Sequence, residues 1–268
     1  MCLLKTSSLS VLKSLTNLLK PNDDRVVYFI SDLHLSERRT DLCAAFFDFI
    51  SKIEEDATDL FILGDFFNFW VGDDIATDLT DEIARTFKAL SDKGIAIHFQ
   101  HGNRDFAVGE QYANACGMSI IPEIYALPFA PEIVVLHGDQ LCLADTQYQR
   151  YRNIIRHPWM MKLLRALPRR CRLKIGNKLR ETSQEYQQHV CCEDGPCRCD
   201  VDEAAIESIL VQYGASIMIH GHTHKPAVHT QIHGTRWVLS DWDARGDYLR
   251  LDQSGLTRHT FSIDPLHK

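Results

Sequence analysis

The chain has 268 residues, 45% of them hydrophobic and 24% charged, with a formal net charge of −7, which is ordinary for a folded chain that buries a full core. No apolar stretch approaches the ~18 residues that a spanning helix needs, the acidic balance argues against general nucleic-acid binding, and no cleavable secretory signal precedes the first expected strand. Nine cysteines, several in apolar patterns (Cys43, Cys116, Cys142), fit a reducing cytoplasm.

Residues 1–24 stand apart as an N-terminal extension. Leu3, Leu4, Leu9, Val11, Leu12, Leu15, Leu18 and Leu19 recur at helical spacing among Lys5, Lys13 and Lys20, and Pro21-Asn22-Asp23-Asp24 ends the segment. An interfacial helix and a targeting peptide both fit this pattern; a plain extension ahead of the domain is the simpler reading.

From Val26 the pattern is strand, polar motif, helix, repeated: Val26 to Ser31 then Arg38 to Glu54, Asp59 to Leu63 then Asp78 to Asp92, and Ile95 to Gln100 then Gly109 to Cys116. Such alternation implies βαβ units, so residues 25–268 read as a single α/β domain. Val-Val-Tyr-Phe-Ile and Leu-Phe-Ile-Leu lack polar alternation, as strands covered by helices do. Motifs at the C-terminal ends of parallel strands converge on one sheet edge, where open α/β sheets bind ligands.

The strand Ile133 to Leu136 ends at His137, and the rhythm then stops until Ile217 to Ile219. Between them lies a helical insertion, about residues 146–200, in which Thr146 to Leu167 and Cys171 to His189 read as helices separated by Pro168. Ile154, Ile155, Trp159, Met160, Leu163, Leu164 and Leu167 give it an apolar face. Eleven of the 29 basic residues lie between Arg150 and Arg180, with no Asp or Glu from Thr146 to Arg180, a locally strong positive field. A helix pair docked on its own core and a surface that meets anionic, greasy partners both fit. A helix from Asp202 to Tyr213 and short strands (Ala227 to Ile232, Arg236 to Ser240, Asp247 to Asp252, Leu256 to Phe261) complete the chain.

Five polar motifs carry the chemistry: Asp32-Leu33-His34, Gly64-Asp65, Gly102-Asn103-Arg104-Asp105, His137-Gly138-Asp139 and Gly221-His222-Thr223-His224. Seven side chains, Asp32, His34, Asp65, Asn103, His137, His222 and His224, offer the mixed oxygen and imidazole set that suits manganese, iron or zinc. Any one motif is weak evidence in a chain with 13 histidines, but all five in order, each after its own strand, point to one metal centre. Two ions about 3.5 to 4 Å apart would share a water and generate hydroxide at ordinary pH. Asp65 would be shared by both. Arg104, with His222 beside the metals, would supply positive charge around phosphoryl oxygens. Asp105, Asp139 and His101 read as supporting or loop residues.

These motifs resemble the signature of the calcineurin-like metallophosphoesterases, in order and residue type, from Val26 to Phe261. The resemblance implies a four-layer αββα sandwich with a dimetal centre, Asp32, His34, Asp65 and His224 holding one ion and Asp65, Asn103, His137 and His222 the other. Many members carry Gly-Asn-His, whose histidine protonates the leaving group; here Arg104 follows Asn103. Gly-Asn-Arg-Asp-Phe is similar to the UDP-2,3-diacylglucosamine pyrophosphatases of lipid A synthesis. So are Leu63-Gly64-Asp65-Phe66-Phe67 with Trp70-Val71-Gly72-Asp73-Asp74, His137 to Cys142, His157-Pro158-Trp159 with Ala166-Leu167-Pro168, and Ile219 to His229.

Membership would imply attack of water on the α-phosphorus of UDP-2,3-diacylglucosamine, releasing UMP and 2,3-diacylglucosamine 1-phosphate, usually with Mn2+. Asp65, Asn103, Arg104 and His222 would carry the chemistry, and Asn103, Arg104, Asp145, Ser183, Gln187 and His222 the substrate contacts. The insertion becomes a lid whose apolar face receives acyl chains while its basic face meets the anionic membrane surface, placing the enzyme peripherally on the cytoplasmic side of a bacterial inner membrane. No protein partner is implied. Two departures stand out. A lysine of the family falls at Val190, and Cys191, Cys192, Cys197 and Cys199 follow it; bound zinc, a redox pair and an exposed loop all fit, though the spacing is not that of a two-CxxC zinc ribbon. The competing function is a metallophosphoesterase acting on another nucleotide diphosphate or phosphodiester. A scaffold that has lost catalysis is disfavoured because all seven ligand-type residues are present.

Overall fold

Apolar runs without polar alternation form the central strands of two sheets, because each such strand is covered on both faces. In the computed structural model, which describes residues 24–176, 178 and 200–264, the first half of the chain gives β1 (Val27–Ile30), α1 (Thr40–Ile53), β2 (Asp59–Leu63), α2 (Asp78–Asp92), β3 (Ala96–Gln100), α3 (Glu110–Cys116), β4 (Met118–Ile120), β5 (Ile124–Leu127) and β6 (Ala130–Leu136). After it come α4 (Thr146–Ile155), α5 (Pro158–Ala166), a helical segment at 169–176, α6 (Glu203–Tyr213), β7 (Ile217–His220), β8 (Ala227–Gln231), β9 (Gly234–Val238), β10 (Arg245–Asp252) and β11 (Gly255–Ser262). Residues 1–23, Ser183, Gln187, Val190, Cys191, Cys192, Cys197 and Cys199 lie outside the described residues.

The first sheet has the order β11-β10-β1-β2-β3-β4 and the second β5-β6-β7-β9-β8. β1 to β4 run parallel, as do β6, β7 and β9. Strand alternation sends one side of each strand to a shared inner layer: Val27, Phe29, Phe61 and Leu63 of the first sheet cluster with Ile133, Val135, Ile217 and Ile219 of the second. The outer side of the first sheet (Tyr28, Ile30, Leu60, Ile62) packs on α1 and α2 through Phe46, Phe49, Ile83 and Phe87. The outer side of the second (Val134, Leu136, Met218) packs on Ile206, Ile209 and Leu210 of α6. The result is the four-layer αββα sandwich.

Local chemistry sets the helix ends. Thr77 and Thr80 form a reciprocal capping box at the start of α2, and Asp202 caps α6 by accepting from the Ala205 amide, with Gly214 in the left-handed region closing it. Two short strands were not expected from the sequence: β4, of three residues, and β5, which pairs antiparallel with β6.

The insertion differs from the expected helix pair. Thr146 to Leu167 is two helices, because Pro158 restricts His157 to an extended conformation (φ −65°, ψ 133°) and takes the first position of α5. No side chain of α5 is buried, so it does not close on a core of its own; Ile154, Trp159 and Leu163 are 56%, 54% and 52% exposed. The positive field is also smaller than the count suggested, because Arg152, Arg156 and Arg172 turn inward to Asp139, Glu123 and Asp74. Among the described residues, no helix is long and apolar enough to cross a membrane.

Candidate metal centre

Five parallel strands deliver the motifs. Asp32 and His34 follow β1, Asp65 follows β2, Asn103 follows β3, His137 follows β6, and His222 and His224 follow β7, so both sheets contribute from their C-terminal edges. The loops after β1 and β2 are joined by backbone bonds from Asp32 N–H to Gly64 O and His34 N–H to Asp65 O. The two sheets meet where Asp32 Oδ2 accepts from the His222 amide at 2.8 Å. Gly64 (φ +84°) allows a close approach: a Cβ there would lie 2.6 Å from both the Gly102 Cα and His137 Nδ1.

Among the described residues, five non-glycine residues have positive φ: Asp32, His34, Asp65, His222 and His224. All five are expected ligands. Left-handed backbone at a non-glycine residue is costly and persists where the surroundings over-determine it, as at functional sites.

The side chains converge as the sequence reading required. Asn103 Oδ1 lies 3.0 Å from His137 Nε2 and 3.0 Å from His222 Nδ1. His224 Nε2 lies 3.3 Å from Asp32 Oδ1. Asp65 faces both ways, Oδ1 3.8 Å from His137 Nε2 and Oδ2 3.9 Å from His34 Nδ1. Asp32, His34 and His224 form one compact group of donor atoms, and Asp32, Asp65 and His137 another, so Asp32 as well as Asp65 stands between the two halves.

The orphaned ring nitrogens of His34 and the neutral state of His34 and His222 fit a cation. Both ring nitrogens of His34 are buried without a hydrogen-bond partner among the described residues, an arrangement that is costly unless a ligand satisfies it. Burial pushes His34 and His222 down to about 4, leaving neutral imidazoles with lone pairs to offer. Burial alone would raise Asp32, but His224, His137 and His34 hold it well below the usual carboxylate range. His137 donates Nδ1–H to Leu63 O at 2.8 Å, which fixes the tautomer and turns Nε2 to the site. The neutral and anionic oxygens with four imidazoles suit a divalent transition metal.

The supporting residues are resolved in detail. Asp105 is fully buried and accepts amide hydrogens of Gly102 and Phe66 at 2.8 Å and of Asp65 and Phe67 at 3.3 Å, holding the Asp65 loop in shape. His101 bonds Val108 O. Asp139 faces the insertion: its Oδ2 accepts from Tyr148 Oη, Arg152 Nε and Arg156 Nη2. Arg104 lies at the site, Nη1 donating to Asn68 Oδ1 and Nε 3.6 Å from Asp65 Oδ2. Asp145 is buried and caps α4 by accepting from the Tyr148 amide.

Three residues at the site were not picked out by the sequence reading. Asp241 Oδ2 approaches His224 Nδ1 at 3.4 Å; its signal was a sixth polar motif, Ser240-Asp241, after the apolar end of a strand. The Tyr148 ring lies face to face with His222, centroids 6.2 Å apart, and Arg156 reaches the Gly102 carbonyl. Tyr148, Arg152 and Arg156 are spaced by four, one stripe of a helix.

Comparison with known proteins agrees with this geometry. A family model described as calcineurin-like phosphoesterase matches residues 25–226. A protein of Haemophilus influenzae (strain PittGG) named UDP-2,3-diacylglucosamine hydrolase is 39% identical over 232 residues, covering 85% of this chain and 95% of that protein. Proteins of the same name from Histophilus somni (strain 2336) and Shewanella piezotolerans (strain WP3 / JCM 13877) are 40% and 41% identical, each over 85% of this chain and 97% and 94% of their own lengths.

Proposed function

Because the chain belongs to the calcineurin-like phosphoesterases, among the UDP-2,3-diacylglucosamine hydrolases, we propose that it hydrolyses the pyrophosphate bond of UDP-2,3-diacylglucosamine in lipid A synthesis, giving UMP and 2,3-diacylglucosamine 1-phosphate. The observation that carries this reading is the uncovered apolar face of α4 and α5, with Trp159 and Leu163 exposed, on the same insertion whose Tyr148 stands against the ligand-type histidine His222. A hydrolase of soluble nucleotides has no use for such a face.

Two divalent ions, proposed to be Mn2+, would supply hydroxide at ordinary pH and positive charge for phosphoryl oxygens when bound. Asp32, His34, Asp65 and His224 would hold one and Asp65, Asn103, His137 and His222 the other. Asp65 is suited to bridge because its two oxygens face His137 and His34 respectively. Arg104, its Nη1 held by Asn68, brings a fixed cation to the equatorial oxygens of the α-phosphorus; a guanidinium does not give up a proton at ordinary pH, so this is charge stabilisation rather than acid catalysis. His222 touches the same phosphate. Asp145, Ser183 and Gln187 are the remaining proposed substrate contacts.

In this reading residues 25–268 act as one domain, with 146–200 as its lid and 1–24 as an extension. The lid meets the cytoplasmic face of the inner membrane peripherally, apolar side chains at the acyl boundary and exposed Arg150, Lys162, Arg169 and Lys174 toward anionic headgroups. The test is turnover of UDP-2,3-diacylglucosamine against UDP-glucose by the purified enzyme with Mn2+, following UMP. Preference for UDP-glucose would assign the chain to another nucleotide diphosphate.

A further inference from the structure

Asn103 stands in a loop whose backbone is held from one side by the core. The Gly102 amide donates to Asp105 Oδ1 at 2.8 Å, the Arg104 amide to Asp65 Oδ1 at 2.8 Å, and the Arg104 carbonyl accepts from the Trp70 amide at 3.1 Å. The Gly102 carbonyl is held from the other side, by the insertion: Arg156 Nη2 donates to it at 2.8 Å. A peptide unit is planar, so fixing that oxygen also fixes the direction in which Asn103 leaves the loop. Gly102 is buried, and a Cβ on it would lie 2.2 Å from Asp65 N and Oδ1, so no side chain of its own can brace this peptide.

Arg156 is well placed to hold its position. It caps the C-terminus of α4, its side chain is 12% exposed, and its guanidinium also bonds Asp139 Oδ2 at 2.9 Å and Glu123 Oε1 at 2.5 Å. Arg152, one turn earlier, grips the same two carboxylates, Asp139 Oδ2 at 2.8 Å and Glu123 Oε2 at 2.7 Å. Among the bonds described, only Arg156 goes on to the Gly102 carbonyl. The two arginines therefore share the work of anchoring α4 and differ in one contact.

We infer that Arg156 is a positioning residue for the metal centre, acting through the Gly102 carbonyl to hold Asn103 Oδ1 between His137 and His222. The inference rests on the dimetal reading above and adds a role for the insertion that is independent of the lipid: α4 is a fixed wall of the metal centre. It selects the Asn103, His137 and His222 half, leaving the Asp32, His34 and His224 half to the core.

The test compares Arg156→Met with Arg152→Met in the full chain, by Mn2+ titration and by electron paramagnetic resonance, where a spin-coupled pair is distinguished from an isolated ion. Arg156→Met should weaken the second equivalent of Mn2+ by ~10- to 100-fold, the size of effect typical when the support of a metal ligand is removed, with loss of the coupled signal and retention of the first equivalent. Arg152→Met should keep both equivalents and the coupled signal. Equal losses in the two variants would reduce Arg156 to an anchor of α4 and overturn the inference, as would wild-type affinity in Arg156→Met. If Arg156→Met fails to fold, as judged by circular dichroism, Arg156→Lys is read in its place: the charge facing Asp139 and Glu123 remains, the planar fork is lost, and the second equivalent should still weaken. Failure of the dimetal reading appears separately, as fewer than two ions bound by the wild type, and removes this inference with it.

Discussion

His224 is held between two carboxylates, its Nε2 3.3 Å from Asp32 Oδ1 and its Nδ1 3.4 Å from Asp241 Oδ2. Burial pulls the ring down, but Asp32 and Asp241 outweigh it and raise His224 to about 10. A carboxylate behind a metal-binding histidine fixes its orientation and makes its other nitrogen a better donor. Asp241→Ala should therefore weaken binding of one Mn2+ equivalent by ~10- to 100-fold, whereas Asp241→Asn, which keeps an acceptor oxygen, should lose less. Isothermal titration decides it; equal affinities in wild type and Asp241→Ala would show that Asp241 does not orient the ring.

Arg104 offers a different separation of roles. Its amide is what bonds Asp65 Oδ1, and that bond survives truncation of the side chain. The guanidinium touches Asn68, and its Nε has no hydrogen-bond partner among the described residues. Arg104→Ala should leave the metal content at two ions per chain and lower kcat by roughly 100- to 1,000-fold, the range for losing one preorganised group that stabilises transition-state charge. Metal analysis beside steady-state kinetics reads both; loss of metal together with rate would make Arg104 a structural residue.

The residues that are legible in the sequence are those whose position follows from a strand end. Asp32, Asp65, Asn103, His137 and His222 each lie within three residues of a strand's last residue, so finding the strand finds the candidate ligand. Arg156 and Asp241 act across the fold, on Gly102 and His224, and nothing local to them names those partners. The break at His157 was readable from Pro158 alone, but the apolar pattern runs through it and masks the boundary. Buried Arg152 and Arg172 could not be told from surface arginines, since a count of charges carries no direction. β4 was missed for its length, too short for any periodicity to show.

Asp59 gives a pH prediction remote from the metal centre. Oδ2 accepts from Arg25 Nη1 at 3.0 Å and Thr58 Oγ1 at 2.9 Å, while Oδ1 faces His98 Nε2 at 3.1 Å. Burial would raise this carboxyl, but His98, Thr58 and Arg25 hold it below the ordinary range. A folded-state value below the unfolded one, ~3.9, stabilises fully above the unfolded value and is lost as pH falls through the folded one. Asp59→Asn should thus cost about 1–3 kcal/mol at pH 7, with the difference narrowing below about pH 4. Urea midpoints of the two proteins at pH 7 and at acid pH measure it, and a constant difference would assign the effect to packing rather than charge.

Leu163 separates the lid's contribution to the substrate from its contribution to the fold. The side chain is 52% exposed and α5 buries no residue, so Leu163→Glu should change stability by no more than ~0.5 kcal/mol, as for surface substitutions elsewhere. If that face receives acyl chains or meets the bilayer, the same change removes a leucine's transfer from water, about 2 kcal/mol, which is roughly 30-fold in affinity. KM for the diacylated substrate should rise by about that factor, and co-sedimentation with anionic vesicles should fall. A short-chain analogue of the same UDP-sugar, which cannot reach α5, should be turned over equally by both proteins. An unchanged KM with the diacylated substrate would move the acyl chains to another face of the molecule, whereas a parallel loss on the short analogue would mean that α5 helps to shape the metal centre and not only the lipid chamber.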